Sequence, residues 1–287
     1  MSSKRWRRNA VIDFHTHIFP EKIADRTLAF LASRCHIDPF TNGTAPGLTA
    51  STREAGLELS VVLPVVTKPS QFDSINRFAL QMQDPEDGLL SFGGIHPDNG
   101  DYKEKLRYIR AAGMKGIKLH PDYQGVMIDD IRYKRIISYA TELGLLISVH
   151  AGFDPGYPDC VHCPPRLARD MIHDVQPDRL ILAHMGGYRR WDEVEEYLVG
   201  EPVWFDTAAV LGEIPDDQFV RIVRRQGADR ILFGTDSPWA GQKEYVRYLR
   251  DLPLTEEEKL KILRLNALDL LGLSGEQQKE PEDRQSL

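Results

Sequence analysis

Five side chains in this sequence have types and positions suited to one piece of chemistry. His15 and His17 stand two apart in Asp13-Phe14-His15-Thr16-His17. His150 follows the apolar run Leu145-Leu146-Ile147-Ser148-Val149, His184 follows Leu180-Ile181-Leu182-Ala183, and Asp236 lies in Phe233-Gly234-Thr235-Asp236-Ser237. Imidazole nitrogens and carboxylate oxygens are ligands for divalent transition metals. In an extended segment, a spacing of two puts His15 and His17 on the same face, where two neutral imidazoles can chelate one ion. A lone His-x-His is equally at home as a pair of surface or core residues. The other three residues tip the balance, because each closes an apolar run at the same end. Packing alone would scatter polar side chains along such runs, and a buried polar group needs a reason.

The elements that must bring these residues together are legible as eight apolar runs: residues 11–15, 59–66, 89–95, 116–119, 145–149, 180–183, 203–205 and 230–234. Near-continuous apolar runs are expected of parallel strands buried on both faces. Amphipathic segments of helical length separate them, among them 103–112, 131–143, 164–175 and 216–226. Ala112-Gly113, Leu143-Gly144 and Gln176-Pro177-Asp178 supply helix stops before the next strand. Eight strand-then-helix units predict a (β/α)₈ TIM barrel, distorted and with a C-terminal helix, over an open doubly wound sheet. In a barrel the C-terminal ends of the strands converge on one mouth, which gathers the five residues.

Residues 35–49 read as a long irregular loop, of the kind that often borders a site. Thr255 and Glu258 are spaced as a capping box opening a last helix through about Leu271. The whole chain, 1–287, reads as one barrel domain ordered over about 10–273, with a polar tail at 274–287.

Bulk composition narrows the function. The net charge is −7, with 41% hydrophobic and 28% charged residues. An acidic balance without a basic stripe argues against a nucleic-acid partner or an anionic membrane surface. No stretch is apolar enough for a membrane span, and the basic cluster Lys4, Arg5, Arg7 and Arg8 is not followed by a leader-like apolar run. Cys35, Cys160 and Cys163 are too few for a disulfide framework. The expectation is a cytoplasmic protein with a small-molecule substrate, with a homodimer left open.

The motifs named above, together with Gly116-Ile117-Lys118-Leu119-His120-Pro121, Val149-His150-Ala151-Gly152, Ala183-His184-Met185-Gly186-Gly187, Asp236-Ser237-Pro238 and the ending Leu265-Asn266-Ala267-Leu268-Asp269-Leu270-Leu271, resemble the amidohydrolase superfamily. Within it they are similar to the amidohydrolase-2 group, which includes aminocarboxymuconate-semialdehyde decarboxylase. The resemblance spans about Val11 to Leu273. It implies a mononuclear divalent metal, Zn²⁺ foremost with Mn²⁺ as the alternative. His15, His17, His150 and Asp236 are the implied ligands, and His184 is the implied acid/base or polarising group outside them. Some superfamily members carry a carboxylated lysine at the end of the fourth strand. Here Lys118 and His120 share a face there, a pattern closer to the mononuclear members.

Other residues are weaker candidates for substrate contact. Lys118 can hold a carboxylate as a point charge or pair with a buried acid. His120 shares its face, His96 closes the third run, and His162 lies in the loop after the fifth. Arg189 follows the glycines after the sixth and can clamp a carboxylate, although arginines there are usually solvated. Asp206, closing the seventh run, is placed to orient a ligand histidine. Cys160-Val161-His162-Cys163 resembles half a zinc knuckle that only Cys35 and His36 could complete; the plainer reading is a loop. His36 and His173 read as structural or solvated. The expected reaction is hydrolysis of an amide, ester or lactone, with Asp236 as ligand and general base and His184 assisting. The alternative at the same metal is non-oxidative decarboxylation or hydration.

Overall fold

Parallel strands can pair only through crossovers, and right-handed strand–helix–strand units repeated eight times curl the sheet until its edges meet. In this computed structural model, which describes residues 11–84 and 87–274, the chain follows that course. The strands are β1 (Val11–Thr16), β2 (Leu57–Val62), β3 (Leu89–Ser91, continued by Gly93–Gly94 after a break at Phe92), β4 (Gly116–Leu119), β5 (Leu146–Val149), β6 (Leu180–Leu182), β7 (Trp204–Asp206) and β8 (Ile231–Leu232). Ladder pairing alone divides them into two sheets, β1 to the first part of β3 and its second part to β8, all parallel. Phe92 N–H, donating to Val62 O at 2.9 Å, carries β3 across its break. Phe14 N–H donates to Phe233 O at 2.8 Å, Asp236 N–H to His15 O at 2.8 Å and His17 N–H to Ser237 O at 2.6 Å, so β8 and the segment after it close onto β1. The result is the expected eight-stranded barrel.

Helices surround it: α1 (Glu21–Cys35), α2 (Ala45–Glu54), α3 (Phe72–Gln81), α4 (Tyr102–Ala111), the short α5 (Pro121–Gln124), α6 (Ile131–Glu142), α7 (Pro165–Val175), α8 (Trp191–Tyr197), α9 (Asp216–Gln226) and α10 (Gln242–Asp251). The last helical stretch runs as α11 (Glu256–Leu260), a π turn at Lys261–Leu265 and α12 (Asn266–Leu271). Its capping box is present, with Thr255 N–H donating to Glu258 Oε2 at 2.7 Å and Glu258 N–H to Thr255 Oγ1 at 3.2 Å. Among the described residues no helix is long and apolar enough to cross a membrane. Of the expected tail, residues 275–287 lie outside the described residues, as does the basic cluster at Lys4–Arg8.

One expectation is corrected. The irregular loop after α1 ends at Thr44, not Thr49. Pro46 and Gly47, read from the sequence as loop residues, form the first turn of α2, and Gly47 N–H is capped by Thr44 Oγ1 at 3.2 Å. Proline is tolerated there because first-turn N–H groups have no helical acceptor.

Two packing layers place the site. Ile117, Leu119, Ile147, Val149, Leu180, Leu182, Phe205, Ile231 and Phe233 point outward into the main core under the helices. Ile12, Phe14, Leu59, Val61, Phe92, Leu146, Ile181 and Leu232 make an apolar floor against Ala267, Leu268 and Leu271 of α12. Side chains beyond that floor on the inward faces line the mouth.

Candidate metal centre

β1 delivers its histidines through a local irregularity. Phe14 belongs to the floor. Asp13 turns away, accepting from Thr235 Oγ1 at 2.6 Å, Gln242 Nε2 at 2.8 Å and Thr235 N–H at 3.0 Å. Between Asp13 and Thr16 the β1–β2 register shifts. Such bulges re-aim side chains, and here His15 as well as Phe14 ends up inside the barrel. Gly234 makes room for it: a Cβ at that position would lie 2.9 Å from His15 Cβ. His184 and Asp236 both adopt left-handed backbone, at φ 61° and 68°. Non-glycine residues are uncommon there and cluster at functional sites, where the surroundings hold them.

The tautomers follow from the partners. His15 Nδ1 lies 2.8 Å from Asp206 Oδ2, a buried carboxylate that can only accept, so His15 carries its proton on Nδ1. His17 Nδ1 lies 2.8 Å from the carbonyl of Leu63 and is protonated for the same reason. Both Nε2 atoms therefore present lone pairs, and they sit 3.1 Å apart. Asp236 Oδ1 is 3.3 Å from His15 Nε2 and 3.1 Å from His17 Nε2. Three lone-pair donors converging in a desolvated place repel one another unless a cation sits between them. The edges fit one. A tetrahedral ion with bonds of about 2.0–2.1 Å has ligand–ligand edges of roughly 3.3–3.4 Å, and an octahedral ion with similar bonds has edges of about 3.0 Å. The triangle lies between these, so it suits a mononuclear divalent ion without selecting zinc over manganese.

The titration of the group agrees. Burial, then the Lys118 charge, lowers His15 to a pKa of about 4, which keeps it neutral. Burial raises the carboxyls of Asp236 and Asp206, but His15 and other neighbours outweigh it. Asp206 falls to about 2, and Asp236 is held below the usual carboxylate range. Asp206 also anchors the opposite wall, its Oδ1 accepting from His184 N–H at 2.9 Å and Ala208 N–H at 3.1 Å.

His184 lies beside this triangle, its ring centroid 5.3 Å from that of His15. Its Nδ1 donates to Ala208 O at 2.8 Å, leaving a lone pair on Nε2. Facing it at 3.0 Å is His150 Nδ1, which must then be the donor. The structure thus brings together three of the four ligands implied by the resemblance. His150 is stacked on His120, with ring centroids 4.1 Å apart, and groups with His120 and Asp154 as a second set of ligand-type atoms. Burial, before all other causes, lowers both imidazoles well below the ordinary histidine value. His150 Nε2 and Asp122 Oδ2 are buried without a hydrogen-bond partner and lie 3.7 Å apart. Burial raises the pKa of Asp122 above the ordinary carboxylate value. Asp154, raised to about 7 by burial, sits with Oδ2 3.4 Å from His120 Nε2.

Lys118 reaches the centre from β4, Nζ 3.1 Å from His15 Nε2. The remaining candidates lie apart from it. His96 is buried in a turn, its Nδ1 accepting from Asp98 N–H at 3.1 Å. His162 is tied to Asp122 Oδ1 at 3.0 Å and borders the second group. Arg189, 51% exposed, pairs with Glu213 at 2.9 Å in the solvated way open to it from sequence. The half-knuckle is a loop: Cys163 is buried, Cys160 is exposed, and no group of metal-ligand atoms among the described residues includes a cysteine. Sequence reasoning overlooked Asp122 and Asp154. Both lie only a few residues beyond strand ends already singled out, which was the available signal.

The chain belongs to the amidohydrolase family: the family model described as Amidohydrolase, Amidohydro_2, matches residues 12–273. No curated protein sequence matches the chain. Among solved structures, an uncharacterised TIM-barrel protein from Bordetella bronchiseptica superposes with a TM-score of 0.75 at 18% identity, covering 93% of this chain and 99% of that one. A dihydroxybenzoic acid decarboxylase from Polaromonas sp. JS666, with bound manganese and the inhibitor 2-nitroresorcinol, gives 0.67 at 15% identity, covering 93% and 98%. A candidate 2-pyrone-4,6-dicarboxylic acid hydrolase from Pseudomonas putida gives 0.63 at 17% identity, covering 92% and 98%. At such identities the likeness is one of fold, and it is the TIM barrel.

Proposed function

We propose that this amidohydrolase-family enzyme hydrolyses an amide, ester or lactone bond of a small molecule at a single divalent metal held by His15, His17 and Asp236. The observation that carries the reading is the convergence of two tautomer-locked lone pairs and a carboxylate on one point, with edges of 3.1–3.3 Å. When bound, the ion supplies Lewis acidity, lowering the pKa of water and polarising a carbonyl. Asp206 holds the His15 proton on Nδ1 and so keeps Nε2 available. Asp236 offers Oδ1 toward the ion and its second oxygen to the proton of the attacking water. His184, with Nδ1 fixed on Ala208 at 2.8 Å, has its Nε2 lone pair on His150 Nδ1 at 3.0 Å, and it takes the proton bound for the leaving group by exchanging that bond for it. The apolar floor excludes water from below. His150 reaches the ligand set only through His184, to whose Nε2 its Nδ1 donates at 3.0 Å.

A second reading, decarboxylation at the same residues, has a specific observation in its favour. Lys118 puts a cation beside the ligand triangle, and a decarboxylase needs a substrate carboxylate there. The manganese-bound decarboxylase from Polaromonas shares this fold. The test is a screen of lactones, esters, amides and unsaturated or aromatic acids, measuring CO₂ release and incorporation of ¹⁸O from labelled water. Label entering the cleaved product supports hydrolysis. CO₂ release without it replaces hydrolysis by decarboxylation, and no turnover of either kind in the metal-loaded protein counts against both.

A further inference from the structure

Lys118 is built into the barrel in a way that the hydrolysis proposed above does not use. In β4 the side chains alternate, Ile117 and Leu119 outward into the core and Lys118 inward. Its four-carbon stem carries Nζ up the wall, and the residue is only 1% exposed. Among the described residues its one hydrogen bond goes to His15 Nε2, at 3.1 Å. Asp206 and Asp236 attract it through space, but neither is at ion-pair distance.

That single bond cannot coexist with a metal. His15 has its proton on Nδ1, so Nε2 has one lone pair. An ion held by His15, His17 and Asp236 takes that lone pair, and the Lys118 amine, only 1% exposed, loses the one acceptor it has. A buried ammonium left without an acceptor beside a dication is costly on both counts, unmet hydrogen bonding and like-charge repulsion at low dielectric. An anion lying between the ion and Nζ removes both.

We propose that Lys118 Nζ is the anchor for a carboxylate on the substrate, and that metal capture by His15 frees it for that role. This rests on the metal-dependent reading given above. Because Nζ is 3.1 Å from a ligand atom of the metal, the carboxylate it holds lies at the reacting bond or next to it and is not a remote handle. The substrate class is therefore a small carboxylic acid, whichever bond is broken. The same distance opposes carboxylation of Lys118. A carbamate would extend the side chain by a further carbon and two oxygens into space that the ligand triangle already fills.

The experiment uses the full-length protein loaded with manganese, with benzoate as the probe and uncharged benzamide as its control, both titrated calorimetrically. Wild type binds benzoate at least about tenfold more tightly when loaded than when metal-free, as expected for a charge-assisted contact made only in the loaded state. Lys118→Met keeps its full metal content, loses at least about tenfold in benzoate affinity and leaves benzamide unchanged; Lys118→Arg recovers part of the loss. Equal benzoate affinity in loaded Lys118→Met and wild type overturns the proposal, as does loss of metal from Lys118→Met or an intact mass increased by one CO₂. Should the variants not fold, the comparison of loaded with metal-free wild type decides alone, equal affinity being the refuting result. A wild type that takes up no metal fails the underlying reading instead, so the two failures are distinguishable.

Discussion

Asparagine at position 206 preserves the shape of the side chain and inverts the hydrogen bonding at one of its two ends. Asp206 is fully buried and accepts three hydrogen bonds, from His15 Nδ1 at 2.8 Å, His184 N–H at 2.9 Å and Ala208 N–H at 3.1 Å. An amide has one oxygen. If that oxygen stays with the two backbone donors, the NH₂ group faces His15 Nδ1–H, donor against donor. His15 relieves the clash by moving its proton to Nε2, the atom that the ion needs. Removing such an outer partner typically costs 10–100-fold in metal affinity, or about 1.4–2.7 kcal/mol. Asp206 is also ionised at neutral pH, with its pKa near 2, so the substitution deletes a negative charge beside a dication. We therefore expect Asp206→Asn to lie near the upper end, at about 100-fold. The assay is chelator competition for manganese or zinc at neutral pH, with circular dichroism confirming that the variant is folded. An affinity within about threefold of wild type would refute the tautomer argument, because a carboxylate that governs His15 cannot be neutralised without consequence.

Other outcomes follow from the same geometry. His15→Ala should lose both metal and activity, whereas His184→Ala should keep most of the metal and lose about 10²–10⁴-fold in kcat; equal metal loss in the two, read by elemental analysis, would make His184 a ligand. Chelation should lower the melting temperature. With free metal at about 100 times its Kd the bound state gains about 2.7 kcal/mol, or roughly 4–5 °C for a chain of this size, and an unchanged thermal scan would speak against a site formed in the native state. Gly234→Ala, whose new methyl would lie 2.9 Å from His15 Cβ, should cost about 1–3 kcal/mol through overpacking and weaken metal binding. A denaturation midpoint equal to that of wild type would mean that β1 has more room than the structure shows.

What could be read from the sequence was what repeats. Apolar runs at regular spacing marked all eight strands because parallel strands are buried on both faces. The ends of those runs marked His15, His17, His184 and Asp236, because in a barrel those ends share one mouth. What could not be read depends on contacts between distant residues. The break at Phe92 is invisible in Leu89–Ile95, which is apolar or small throughout. Pro46 and Gly47 favour a turn locally, yet Thr44 caps them into α2. The register shift that brings both Phe14 and His15 inside β1 depends on pairing with β2 and on the absence of a side chain at Gly234, far along the chain. His150 stands at the end of its strand as its position suggested, but stacking on His120 and the hydrogen bond to His184 decide which way its nitrogens point.

The most direct test of the central claim is anomalous diffraction at the manganese or zinc edge from crystals of the metal-loaded protein. The account predicts a peak bonded to His15 Nε2, His17 Nε2 and Asp236, with Lys118 Nζ no longer on His15. No peak at that point, or a peak held instead by His120, His150 and Asp154, would contradict it.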